Sequence, residues 1–186
     1  MNKKTFIAEL HDIGKLIDHK NCKYMISHYF NKEELEKIGI QTPQNKTFTG
    51  IQKHHCGKNN PYCEDEKEIL NDLDIVLLIM ADHFSSGFSR ISNELENIVN
   101  NSFSVKDKSV YKLWNSNSRI DLTNKLIVCN TENIRKIIDI IENGDFDTLQ
   151  NQCKELLKLV PENKKQLFNL VSLQTHLILV GKIYRF

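Results

Sequence analysis

Residues 6–17 read F-I-A-E-L-H-D-I-G-K-L-I. Phe6, Ile7, Leu10, Ile13, Gly14 and Ile17 recur at spacings of three and four, which predicts the apolar face of a first helix. His11 and Asp12 stand side by side within it. Neighbours on a helix point about 100° apart, so both side chains can lean into one cavity if that face is buried. An imidazole nitrogen and a carboxylate oxygen together suit a first-row divalent metal, with the aspartate able to bridge two ions. An N-terminal helix carrying an incidental exposed histidine is the competing reading, and this stretch alone does not choose between them.

Outward from that stretch the pattern stays helical. The spacing predicts helices over Tyr24 to Ile38, ended by Gly39, and over Phe48 to His55, ended by Gly57. Glu64 to Phe84 is acidic in its first turn and nearly all apolar afterwards, which predicts a central, buried helix. Ile91 to Val99 continues the helical pattern. Residues 101–131 form an Asn/Ser-rich connector, with a short strand expected at Leu126 to Cys129. Helices resume through Ile134 to Ile141, capped by Gly144, then Leu149 to Val160, stopped by Pro161, then Gln166 to Tyr184. The expected class is all-α and the expected organisation one domain over 1–186. Its motif-bearing core is 1–100, and the helices of 132–186 pack back on that core.

Composition narrows the functions. The 186 residues are 40% hydrophobic and 26% charged, enough to bury a core. Lys+Arg 25 against Asp+Glu 24 gives a formal charge of +1, which rules out gripping duplex nucleic acid by bulk electrostatics alone. The longest apolar run, Ile75 to Ala81, is far short of the roughly 20 residues of a membrane span. No signal-peptide pattern opens the chain. Five cysteines without a C-x-x-C pair fit a cytoplasmic protein with reduced, packed thiols. Cys56 and Cys63 flank a Gly/Asn/Pro loop, but their spacing matches no common zinc pattern.

Two further groups join the His11-Asp12 pair. His54-His55 lies in K-H-H-C-G-K, either as two ligands before a glycine loop or as a solvated pair at a helix end. Asp82, in M-A-D-H-F-S-S-G-F-S-R, follows seven non-polar residues. A carboxylate buried there must be paired, hydrogen-bonded or metal-bound, because desolvating it alone costs several kcal/mol. Lys15 is one turn beyond His11, and Ser86 and Arg90 are one and two turns beyond Asp82. These three are candidate contacts for a substrate phosphate, with solvated or salt-bridged side chains as the plain alternative.

In this order, H-D, then H-H, then Asp, the set resembles the HD-domain metal-dependent phosphohydrolases. The A-D-H-F-S-S-G-F-S-R segment resembles the A-D-x-x-S-S-G-x-x-R signature of the HD nuclease domain in the large subunit of type III CRISPR effector complexes. That family likewise begins almost directly at its H-D motif, and ten residues precede His11 here. The resemblance covers Phe6 to Arg90 by motif and the rest by helical character only. It implies a circularly permuted HD-type helical bundle. The ligand histidine usually found upstream would then move to the last helix, where His176 in T-H-L-I-L-V is the candidate. A His packed on an apolar helix is the plain alternative. His28 and His19, between the first motifs, are weaker ligand candidates.

The resemblance further implies a nuclease acting on single-stranded DNA in CRISPR defence. His11, Asp12 and Lys15 would be catalytic, and one or two ions (manganese, nickel or cobalt rather than magnesium) would sit on His11, Asp12, His54, His55 and Asp82. Other effector subunits are the implied partners, and no membrane is. No G-G-D-D motif is present, so cyclic oligoadenylate synthesis is not expected. Two alternatives stay open: an HD phosphohydrolase acting on nucleotides, and a catalytically impaired docking subunit.

Overall fold

The computed structural model describes residues 3–18, 22–26, 29–41, 73–89, 110–113, 120–121, 125–143, 146–162, 168–169 and 171–186. Over these the chain is mostly helical, in agreement with the expected class. The α-helices are α1 (Lys3–Glu9), α2 (Lys32–Lys37), α3 (Leu73–Ser89), α4 (Thr131–Asn143), α5 (Phe146–Leu159) and α6 (Leu173–Tyr184). None of the described helices is long and apolar enough to cross a membrane.

The first helix is shorter than its apolar spacing predicts. α1 stops at Glu9, residues 10–12 turn, and Ile13–Leu16 form a 3-10 helix. Leu10, Ile13, Leu16 and Ile17 are nevertheless all buried, because the tightened turn keeps the same side of the chain inward. His11 and Asp12 therefore sit in the turn between two helical pieces, not within one helix.

The expected helix over Tyr24 to Ile38 is also corrected. Its front half holds an antiparallel strand pair, β1 (Met25–Ile26) with β2 (Tyr29–Phe30), registered Met25 to Phe30 and Ile26 to Tyr29. Among its described residues only Lys32–Lys37 is helical. Asn31 explains the start of α2, its side chain accepting from the Glu34 amide. Gly39 explains the end: at φ 71° it lets Gly39 N–H reach Glu36 O while Ile40 N–H reaches Leu35 O.

Two segments far apart in sequence are stitched together here. Ile17 and Ile127 form a parallel bridge, with Ile127 N–H donating to Leu16 O and Asp18 N–H to Ile127 O. The Leu126 to Cys129 strand expected from sequence thus contributes a single bridge. A disulfide joins Cys22 to Cys129, which corrects the expectation that these thiols are reduced. Tyr24 Oη also lies 3.2 Å from Thr131 Oγ1.

α4 follows, capped by the Asn130 side chain on the Asn133 amide, with Ile134, Ile137, Ile138 and Ile141 on its buried stripe. α5 ends before Pro161 as predicted. The last helix begins at Leu173, with Ser172 as its N-cap, later than the expected Gln166. The chain before it supplies β5 (Phe168–Asn169). β5 pairs in parallel with β3 (Val110–Leu113), which pairs antiparallel with β4 (Ile120–Asp121). These short strands lie where the sequence shows no extended alternation.

α6 packs against α1, α3 and α5, and so brings the end of the chain onto its beginning. Gly181 permits the close approach to α1: a Cβ there would lie 2.2 Å from Glu9 Cγ. α3 buries Ile75, Leu78, Ala81, Asp82, Ser85 and Ser86 on one side. Its other side exposes Leu73, Leu77, Met80 and Phe84, so α3 is half-buried and not the fully enclosed helix its composition predicts. The predicted helices over Phe48 to His55 and Ile91 to Val99 lie outside the described residues.

Candidate metal centre

Where α1, α3 and α6 meet, four side chains from three distant stretches converge. His11 and Asp12 come from the turn after α1, Asp82 from the middle of α3, and His176 from the first turns of α6. Their ligand atoms all lie within 4.8 Å of one another, and all four residues are buried.

Local hydrogen bonds decide which atoms face inward. His11 Nδ1 lies 2.9 Å from Ala8 O, a carbonyl that can only accept, so the hydrogen is on Nδ1. His176 Nδ1 lies 2.9 Å from Ser85 Oγ, and Ser85 donates its own hydrogen to His176 O at 3.5 Å, so Nδ1 is again the donor. In the neutral imidazoles both Nε2 atoms therefore present lone pairs. These Nε2 atoms are 3.2 Å apart. From His176 Nε2, Asp82 Oδ1 is at 3.2 Å and Asp12 Oδ2 at 3.4 Å. From His11 Nε2 the same two oxygens are at 3.4 Å and 3.6 Å.

Four lone-pair donors crowded together repel unless a cation lies among them. Ligands about 2.1 Å from a shared divalent ion stand about 3 to 4 Å from each other, which is the range of these separations. Two imidazoles and two carboxylates form the mixed nitrogen and oxygen set of first-row transition metals, and the carbonyl and hydroxyl on the two Nδ1 atoms fix ring orientation as in metal sites generally. The residues fit a metal ion.

Electrostatics point the same way. Burial works to raise the Asp82 pKa, but the His11 and His176 imidazoles beside it outweigh that and hold the carboxyl well below its usual range. Burial works against a charged His176, but Asp12 and Asp82 outweigh it and raise the imidazole to about 9. Without a metal, a proton on His176 Nε2 places a cation between the two carboxylates. Lys15 follows the same logic: burial opposes its charge, and Asp12, Glu162 and Asp82 together hold the ammonium above the ordinary lysine range.

Lys15 is buried and its ammonium pairs with Asp12 Oδ2. Ser86 is buried too, with Oγ 3.2 Å from Asp82 Oδ1 and 2.9 Å from Glu162 Oε1. Both residues, expected from sequence to touch substrate phosphate, contact the carboxylates of the cluster. His54, His55, Arg90, His28 and His19 lie outside the described residues. Two contributors escape the sequence reading. Ser85 is three residues past Asp82 on the same helical face, a spacing that could have signalled it. Glu162, behind Pro161, carries no local signal.

No family model, curated protein or solved structure matches this chain.

Proposed function

We propose that the protein is a metal-dependent phosphohydrolase of the HD type, a nuclease that hydrolyses single-stranded DNA alongside other subunits of a type III CRISPR effector complex. The observation that carries this reading is the convergence of His11, Asp12, Asp82 and His176 on one buried point, with two imidazole Nε2 atoms 3.2 Å apart. The H-D pair and the A-D-x-x-S-S-G segment supply the first three of these residues. His176 takes the role of the ligand that unpermuted members carry ahead of the H-D pair.

His11, Asp12, Asp82 and His176 would hold the ion, with manganese, nickel or cobalt suited to the donor set. When bound, such an ion supplies Lewis acidity toward a water nucleophile and a phosphoryl oxygen. The chain's own residues prepare that site. Ala8 O and Ser85 Oγ keep hydrogens on the two Nδ1 atoms, so both Nε2 lone pairs point inward. Lys15 pairs with Asp12 Oδ2 and orients that carboxylate by its charge. His176 gives up its Nε2 proton as the ion is taken up. His54 and His55 are proposed as further ligands and Arg90 as a contact to the substrate phosphate.

The test is incubation of labelled single-stranded DNA with the purified protein and Mn²⁺, beside a variant carrying both His11→Ala and Asp12→Ala. Degradation by the wild type and at least about a hundredfold loss in the variant, the scale expected on removing a catalytic metal's activation of water, supports the reading. Equal degradation by the variant refutes it. Release of free phosphate from mononucleotides alone redirects the assignment to a nucleotide phosphohydrolase. Absence of bound metal and of all turnover, with partner binding retained, redirects it to a docking subunit.

A further inference from the structure

Glu162 follows α5 at the joint where the chain turns back toward α6. Its amide donates to Val171 O at 3.3 Å, beside the bridge between Pro161 and Ser172. Leu173 N–H donates to Val160 O at 2.7 Å. The backbone that starts α6, and so places His176, is thus the same joint that fixes Glu162.

Glu162 is 6% exposed. Its Oε1 accepts from Ser86 Oγ at 2.9 Å, and the same hydroxyl lies 3.2 Å from Asp82 Oδ1. Ser86 has one hydrogen to share between two carboxylate oxygens. The shared bond fixes where Asp82 Oδ1 stands, and that oxygen faces both imidazole Nε2 atoms. The other oxygen, Glu162 Oε2, is buried without a hydrogen-bond partner among the described residues. A polar atom left in that state costs about 1–3 kcal/mol, so the placement of Glu162 is not explained by its own bonding.

We propose that Glu162 is a positioning residue of the metal centre, acting through Ser86 to aim Asp82 at the bound ion. This rests on the metal reading above and extends it by a carboxylate that holds no ion itself. A carboxylate that supports a ligand in this way typically changes metal affinity by about 10–100-fold when removed. In the metal-free protein the unsatisfied oxygen of Glu162 costs stability while its charge favours the buried Lys15 ammonium, so the effects of its removal on stability oppose each other. A residue kept only for packing would lower stability without changing metal affinity.

The experiment titrates Co²⁺ into the full chain by calorimetry and records the visible absorption of the bound ion, alongside thermal unfolding in EDTA. For Glu162→Ala the expectation is about tenfold weaker binding and a shifted Co²⁺ spectrum, with an unfolding temperature in EDTA within about 4 °C of wild type. Glu162→Gln keeps an oxygen for the Ser86 hydroxyl and is expected to bind within about twofold of wild type, with its spectrum restored. Ser86→Ala should match Glu162→Ala, and the double variant should be no weaker than either single one. Unchanged affinity with a lowered unfolding temperature in Glu162→Ala overturns the proposal in favour of a packing role. Glu162→Gln as weak as Glu162→Ala, or fully additive effects in the double variant, also overturns it, because the action then does not pass through the Ser86 bond. Failure of the wild type itself to bind Co²⁺ removes the metal reading, and the two failures are thereby distinguishable.

Discussion

His11 Nε2 and His176 Nε2 stand 3.2 Å apart although 165 residues separate them. Each ring has its other nitrogen occupied, by Ala8 O and by Ser85 Oγ. The space between the rings must therefore hold a positive charge, either a proton on one Nε2 or a metal ion. Those two occupants exclude each other, and their competition has measurable consequences.

Uptake of a divalent ion at neutral pH should release a proton, because His176 is raised to about 9 in the metal-free protein. Apparent affinity should then improve by up to about tenfold per pH unit between about 7 and 9 and flatten above. The stability of the metal-free protein should move the other way. A folded-state pKa raised from 6.5 to about 9 contributes stability that is fully present below about 6.5 and lost as pH rises through 9. Calorimetry in two buffers of different ionisation enthalpy, with unfolding curves in EDTA at pH 6.5 and 9, measures both. Zero proton release, or metal-free stability that climbs with pH, contradicts the competition.

Replacing His176 by Ala removes the imidazole nearest to both carboxylates. Bound metal, measured by elemental analysis after dialysis, should fall to background, and the proposed nuclease activity with it. The metal-free fold should also weaken, by about 3–5 kcal/mol, since Asp12 and Asp82 lose a buried charged partner. Unchanged metal stoichiometry would leave His176 as a packed core histidine.

The sequence exposes some of this centre and hides the rest for physical reasons. His11-Asp12 and Asp82 are visible because polar atoms interrupt strongly apolar stretches, and such atoms need partners. His176 is equally buried, yet its local pattern is that of an ordinary amphipathic helix, and only the family resemblance singles it out. Glu162 lies in a polar segment and matters through a contact 76 residues away, beyond the reach of any periodicity. The same limit applies to the fold. Helices with a regular buried stripe, such as Ile134 to Ile141, are readable. The break at residues 10–12 and the strand pair of 25–26 with 29–30 answer to tertiary packing and cross-strand pairing, which local periodicity does not encode.

The Cys22–Cys129 disulfide closes a loop of 107 residues just beyond the 3-10 helix that follows His11 and Asp12. Chain entropy favours long closures, and typical stabilisation is about 2–4 kcal/mol. Cys129→Ser should lower the unfolding temperature of the oxidised protein to about that of the reduced wild type. Peptide mapping without reductant should recover the fragments around Cys22 and Cys129 as one linked species. Recovery of both as free thiols under oxidising purification would remove the bridge.

Gly181 offers a test of the contact between the last helix and the first from a position outside the metal cluster. A Cβ at this position would stand 2.2 Å from Glu9 Cγ and 2.8 Å from Glu9 Oε1. Cγ is close to the backbone of α1 and has little freedom to swing, so relief requires α1 and α6 to separate or Glu9 to leave its pocket. Leaving breaks the 2.9 Å bond from Arg185 Nη2 to Glu9 Oε1. Overpacking of this kind costs about 1–3 kcal/mol. In a chain of this size that corresponds to a fall of about 3–10 °C in the unfolding temperature of Gly181→Ala. Glu9 lies two residues before His11, so the displacement should also weaken Co²⁺ binding in Gly181→Ala. The double variant Gly181→Ala with Glu9→Ala removes the clashing atoms and should recover part of both losses. An unfolding temperature equal to wild type in Gly181→Ala would mean that α1 and α6 are not held at this separation.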